Sequence, residues 1–409
     1  MKKRLFIAIQ YLEIGGAERS LIGLLNAIDY TRYEVDLFVY DHRGEFMPLI
    51  PKTVRLIPEI KEYAAINRPI KDIIKEGQIG IALARIFAKI QYAIYHKIHR
   101  PKEGSGIFQY VADCVTPFLP TLKKYGTYDL AISFLTPHNI VRDKVKAHQK
   151  IAWIHTDYST ISVHAEKELP VWKSFDRIMA VSEGVKKTFL QTFPTLADKV
   201  EVMENILSPT FVQEQADMQE VSDEMPAIEG ELRFCSVGRY TSAKNFDNVP
   251  FICRMLVEKG LKFKWYIIGY GGDEALIKRN IQQAGMEQVC ILLGKKSNPY
   301  PYMKACDIYI QPSRFEGKAV TVREAQILGK PVVITRFATS SAQLTEQVDG
   351  IIVPMDNEGA TEGIYAFAQN LTLQQQIISY LKSHDYGNES EIKKLEFHPS
   401  QPSPFTPHG

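Results

Sequence analysis

At 409 residues, 45% of them hydrophobic, the chain is long enough for two α/β domains of roughly 200 residues, each with its own core. A net charge of +2 gives no global argument for nucleic acid as a partner. The five cysteines are scattered without a CxxC pair, which excludes a disulfide scaffold and a visible metal cluster and reads as reduced core thiols of a cytosolic protein.

The opening MKKRLFIAIQYLEIGG has a brief apolar run, interrupted by Gln10 and followed by Glu13, without a small-residue cleavage site. It reads as the first strand of a sheet (5–9) rather than a secretory leader. Gly15 and Gly16 then let the backbone turn sharply and approach a ligand before a helix at about 19–28, although a lone glycine pair also serves plain βα geometry. Strands are predicted at 33–40 (YEVDLFVY) and 54–57.

Residues 59–123 are mostly helical, basic and aromatic. The clearest piece, 79–100 (IGIALARIFAKIQYAIYHKIHR), allows two readings. One is a basic amphipathic helix lying on an anionic membrane surface, and the other is an ordinary helix packed on the sheet with a solvated basic edge. No segment has the roughly 18 uninterrupted apolar residues of a membrane span. The protein is therefore expected in the cytoplasm, with peripheral contact at the inner face of the membrane through 79–100 under the first reading.

Further strands follow at 128–134 (YDLAISF), 150–154 (KIAWI), 176–181 (DRIMAV) and 199–203. His155 stands just beyond the strand at 150–154, where it can reach a sugar hydroxyl or phosphate oxygen or serve as a structural histidine. Ser182 is placed to cap the next helix. Residues 206–231 are acidic, carry Pro209 and Pro226, and read as an interdomain linker.

A second parallel sheet starts at 232–237 and runs into Gly238-Arg239-Tyr240-Thr241-Ser242-Ala243-Lys244-Asn245. Arg239 and Lys244 suit a diphosphate, because one offers a fork of donors and the other a mobile point charge; two solvated loop cations are the alternative. Strand 264–268 leads into GYGGDE, which resembles a dinucleotide fingerprint but has Glu274 where the last glycine would stand. Strand 290–293 ends in Gly294-Lys295, whose backbone can edge a nucleobase.

Residues 306–335 (CDIYIQPSRFEGKAVTVREAQILGKPVVIT) read as strand, loop, helix, turn and strand. The loop lies where a strand's carboxyl end meets a helix's amino end, the corner at which open α/β sheets hold ligands. Two carboxylates occupy it, Glu316 in the loop and Glu324 on the helix, with seven residues between them. By themselves they also fit a solvated loop glutamate and a helix-start glutamate. A final strand at 351–354 and helices over 357–381 close the second domain, which ends near 385. The remainder, 386–409, is a proline-rich tail expected to be partly disordered.

Taken together, GGAERS, the His155 strand end, AVSEGVKKTF, SVGRYTSAKN and EGKAVTVREAQILGKPVV resemble glycosyltransferase family 4 over roughly residues 4–390, in particular members that build bacterial capsular and other surface polysaccharides. The resemblance implies a GT-B fold, two Rossmann-like doubly wound domains facing across a cleft, with an acceptor domain at 1–205 and a nucleotide-sugar domain at 232–385. It implies that Glu324 takes the ribose hydroxyls, that Glu316 contacts the donor sugar, and that Arg239 and Lys244 hold the diphosphate. Gly16 would approach from the first domain beside Gly15, and His155 would contact the sugar near the reacting carbon. Gly294, Lys295, Gly317, Lys318 and Ala319 complete the donor-binding set, and Lys318 departs from the small or apolar residue usual after the first glutamate.

The implied reaction is retaining transfer of a sugar from a UDP- or GDP-sugar to a saccharide acceptor carried on polyprenyl diphosphate, with no resident metal or cofactor. Arg239, Lys244 and helix amino ends would stabilise the departing phosphate. Three competitors are distinguishable. A nicotinamide-dependent oxidoreductase lacks its GxGxxG in both domains, a nucleotide-sugar epimerase of the same fold needs a different acid/base set, and a non-catalytic nucleotide-sugar-binding partner would bind donor without turnover.

Overall fold

The computed structural model describes residues 2–316 and 319–395. The chain divides into two compact units, one running to Ile206 and including the returning segment from Glu389, the other Leu207–Asn388. The proline-rich segment beyond Leu395 lies outside the described residues.

The first unit is a seven-stranded sheet in the order β3-β2-β1-β4-β5-β6-β7. Its strands are β1 (Lys3–Ile9), β2 (Tyr33–Val39), β3 (Arg55–Leu56), β4 (Thr127–Ser133), β5 (Lys146–Ile154), β6 (Arg177–Ala180) and β7 (Val200–Val202). Every paired neighbour is parallel, with Leu5 opposite both Val35 and Leu130. The runs FIAI in β1 and DLFV in β2 are buried throughout, as strands covered by helices on both faces must be. Ser182 caps the helix Glu183–Thr192, its hydroxyl accepting from the Val185 N–H at 3.2 Å.

Helices fill residues 61–115, and the longest, Ile79–His99, buries Ile81, Ala82, Ala84, Ala88 and Tyr92. Its opposite face is apolar and exposed, so one face of the helix packs on the core and the other does not.

The second unit is a six-stranded parallel sheet in the order β10-β9-β8-β11-β12-β13. Its strands are β8 (Leu232–Val237), β9 (Phe263–Ile268), β10 (Cys290–Gly294), β11 (Ile308–Gln311), β12 (Val332–Thr335) and β13 (Ile351–Val353). Buried Ser236 ties three adjacent strands: its hydroxyl accepts from Trp265 Nε1 at 2.8 Å and donates to the Ile310 carbonyl at 2.6 Å. A serine inside an apolar sheet is tolerated because both of its hydrogen-bonding roles are filled.

Two boundaries differ from expectation. Residues 206–231 are not a linker. They carry the helix Pro209–Ala216, capped by Ser208, and Val212, Ala216, Val221 and Met225 are buried against Tyr300, Tyr302 and Met303. Pro209 starts this helix rather than breaking a pattern, since the first helical position needs no N–H partner. The segment from 386 is also partly folded. Residues Glu389–Leu395 form a 3₁₀ helix that returns to the first unit, where the Lys394 carbonyl accepts from Arg177 at 2.6 Å and Glu391 accepts from the Glu204 N–H at 2.9 Å.

Candidate active site

The strand order of the second unit reverses between β8 and β11, the kind of position at which open α/β sheets hold ligands outside the carboxyl ends of their strands. The loop after β8 ends in a 3₁₀ turn, Ser242–Lys244, closed by Asn245 in the left-handed conformation (φ 60°). Lys244 folds back over Gly238, where a Cβ would lie 3.2 Å from the lysine Cε, so a glycine there leaves room for the stem.

From the other side, Glu316 at the end of the β11 loop meets that lysine. Its Oε1 accepts from Lys244 Nζ at 2.5 Å, from Ser313 Oγ at 2.7 Å and from Gln311 Nε2 at 3.2 Å. The pair is largely shielded, with side-chain exposures of 21% for Lys244 and 10% for Glu316. Gln311 is itself oriented, because its Oε1 accepts from Tyr309 Oη at 2.8 Å and Thr321 Oγ1 at 3.1 Å.

A second ion pair locks the two loops together. Arg314 donates twice to Asp247, at 2.8 Å each, and once to the Ser242 carbonyl at 2.7 Å, while its backbone N–H donates to Ala243. A bidentate guanidinium–carboxylate contact fixes orientation as well as distance. Lys244 and Glu316 therefore face each other on a clamped frame.

Glu324 lies on the helix Val320–Ile327 and is fully buried; its Oε1 accepts from Tyr300 Oη at 2.8 Å. Ala319 precedes this helix, buried, with its N–H donating to Gln343 Oε1 at 3.1 Å. Gly317 and Lys318 lie outside the described residues. Arg239 is exposed and forms no ion pair among the described residues. Gly294 closes β10, its carbonyl accepting from the Gly269 N–H at 2.9 Å, and Lys295 stands exposed over the Tyr270 ring at 5.2 Å.

The fingerprint-like GYGG has a packing explanation. A Cβ on Gly269 would lie 1.9 Å from the Gly238 carbonyl oxygen, so the glycine serves the close approach of the β8 and β9 ends. Gly269→Ala is expected to destabilise the protein by more than about 2 kcal/mol, whereas Gly272→Ala, with nothing within 4 Å, is expected to be near neutral. Urea unfolding midpoints of the two variants check the contrast.

The first unit holds the remaining candidates. Gly15 precedes the helix Gly16–Ala27 and leaves space for the Glu18 carboxylate, while a Cβ on Gly16 would meet nothing within 4 Å. His155 follows β5 with its ring 4.6 Å from Phe134, and burial pushes its pKa down to about 3. It is a neutral imidazole at physiological pH, and its buried Nε2 has no hydrogen-bond partner among the described residues. His138, whose Nδ1 meets Ser133 Oγ at 2.8 Å, is likewise lowered to about 3 by burial.

Sequence reasoning missed Tyr300, Gln311, Ser313 and the Arg314–Asp247 clamp. Only the Ser313–Glu316 spacing was locally legible, since a serine hydroxyl readily bonds a group three residues on. Arg314 and Asp247 are 67 positions apart, and nothing local announces that pairing.

Residues 217–384 match the family model described as glycosyl transferases group 1. The chain is 30% identical over 154 residues to the amylovoran biosynthesis glycosyltransferase AmsK of Erwinia amylovora, covering 36% of this chain and 37% of that protein. It is 25% identical over 186 residues to the Campylobacter jejuni N-acetylgalactosamine-N,N'-diacetylbacillosaminyl-diphospho-undecaprenol 4-alpha-N-acetylgalactosaminyltransferase, covering 45% of this chain and 48% of that protein. The matches thus span less than half the length of these curated relatives. The whole fold resembles Anabaena HepE solved with UDP, at a TM-score of 0.59 and 16% identity over 96% of this chain and 97% of that one. Residues 217–384, which hold Lys244, Glu316 and Glu324, are thus similar to the glycosyl transferases group 1, within a chain whose two parallel-sheet units have a GT-B fold.

Proposed function

We propose that the chain is a retaining glycosyltransferase of bacterial surface polysaccharide synthesis. It moves a sugar from a UDP- or GDP-sugar to a saccharide acceptor carried on polyprenyl diphosphate. The observation that carries this reading is the shielded Lys244–Glu316 pair across the β8/β11 switch point of a group 1 domain. One named relative acts in amylovoran biosynthesis and another on a diphospho-undecaprenol-linked sugar, which supports the acceptor class.

In this reading Glu324 takes the ribose hydroxyls, Lys244 and Arg239 take the diphosphate, and Glu316 takes a donor-sugar hydroxyl. Gly294 and Lys295 edge the base. When the bond from the anomeric carbon to the phosphate oxygen breaks, negative charge develops on the departing phosphate, and the Lys244 ammonium stabilises it where a divalent ion serves elsewhere. The acceptor hydroxyl attacks the same face. Its proton passes to the leaving phosphate oxygen as the new carbon–oxygen bond forms, so no protein nucleophile is required.

A melting screen of nucleotide sugars tests the donor assignment. A saturating cognate donor stabilises by about 3 kcal/mol, several degrees for a protein of this size. No shift with any UDP- or GDP-sugar would overturn it.

A further inference from the structure

The exposed face of the helix Ile79–His99 asks for a partner. Ile79, Leu83, Phe87, Ile90, Ile94 and Ile98 are each between 54% and 69% exposed. At 3.6 residues per turn they fall within about 120° of the helix circumference, opposite the face that packs on the core. Phe118, 57% exposed, lies over Gly80 and extends the stripe at its start. Scattered exposed apolar residues are normal, but a continuous stripe of this kind marks an interaction surface.

Charge selects the occupant. From residue 79 to residue 102 the chain carries Arg85, Lys89, Lys97, Arg100 and Lys102 and no Asp or Glu. Arg85 turns inward to the Ala65 carbonyl at 2.8 Å, and the other four cations are exposed. A second copy of this surface would bring like charges together, with no carboxylate along the helix to pair them. An anionic lipid surface accepts both the apolar stripe and its basic flanks. The helix is not long and apolar enough to cross a membrane, so it would lie in the interface plane.

The stripe is also fixed to its unit. Tyr95 stacks on His164 at 4.2 Å, Tyr110 Oη meets His164 Nδ1 at 2.8 Å, and Glu103 accepts from the Ser162 N–H at 3.1 Å. The carboxyl end of the helix and the turn after it are thereby tied to the segment that follows His155.

We propose that this helix docks the protein in-plane on an anionic bilayer through the 79–98 stripe, holding the loop after His155 at a set height above the lipid. Flotation of the full chain with phosphatidylcholine vesicles, with and without phosphatidylglycerol, tests this without any transfer assay. Its outcome is therefore independent of the function proposed above.

The wild type is expected to float with the anionic vesicles and to bind neutral ones at least tenfold less. F87E/I94E should remain at the bottom with an unchanged melting curve. K89E/K97E should lose more than tenfold, since each basic residue near an anionic surface contributes about fivefold. Failure of the wild type to float, or flotation of F87E/I94E like wild type, would overturn the proposal. So would a wild-type dimer in sedimentation velocity that F87E/I94E abolishes without any vesicle binding, which would assign the stripe to self-association.

Discussion

Lys244→Ala is expected to lower the transfer rate constant about 10²–10³-fold, the cost of removing one preorganised donor from developing charge. The same substitution should also destabilise the fold, because Glu316 would lose its cation while remaining 10% exposed. Breaking a shielded pair from one side costs about 3–5 kcal/mol, and the partial exposure of Lys244 places this case toward the lower end. The two effects can be separated. In Lys244→Met with Glu316→Gln, neither partner is left as an uncompensated charge, so most of the lost stability should return while transfer stays at the level of the single variant. Thermal melting and single-turnover transfer on the same preparations check both. Recovery of activity with stability would mean that the pair only holds the two loops, a task that Arg314 and Asp247 already perform.

Glu324→Ala should act on donor binding. A carboxylate taking two ribose hydroxyls contributes about 1.5–3 kcal/mol per charged hydrogen bond, so the donor Kd is expected to rise at least about tenfold and kcat/KM to fall about 10²-fold or more. Glu324 is fully buried and bonded to Tyr300 Oη, so a stability loss of about 1–3 kcal/mol should accompany the change. Tyr300→Phe supplies the control. It removes the same 2.8 Å bond and leaves the carboxylate in place. If Glu324 serves the ribose, Tyr300→Phe loses stability with little change in donor Kd, and Glu324→Gln loses donor affinity. Calorimetric titration of UDP and GDP into the three variants decides it. Wild-type affinity in both Glu324 variants would remove the residue from the site.

Much of the second unit's element order was legible from local pattern. The runs at 232–237 and 264–268 are short, apolar and bounded by glycine, and each folds as a strand. Residues 206–231 depart from a linker because spacing outweighs their acidity and prolines: Val212, Ala216, Val221 and Met225 recur four or five residues apart and are buried with Tyr300, Tyr302 and Met303. His155 stands at its predicted strand end, but its neutral state comes from burial beside Phe134 rather than from any motif.

By itself the sequence determined two parallel α/β units, the identity of their strands and the corner that holds Glu316 and Glu324. Those features follow from runs of a few residues, whose side-chain period and turn chemistry act locally. The tertiary structure decided that β8 lies beside β11, and therefore that Lys244 and Glu316, 72 positions apart, share one hydrogen bond. It likewise decided which face of the helix Ile79–His99 the core covers. Strand order and burial depend on which distant surfaces exclude water together, and no local window contains that information.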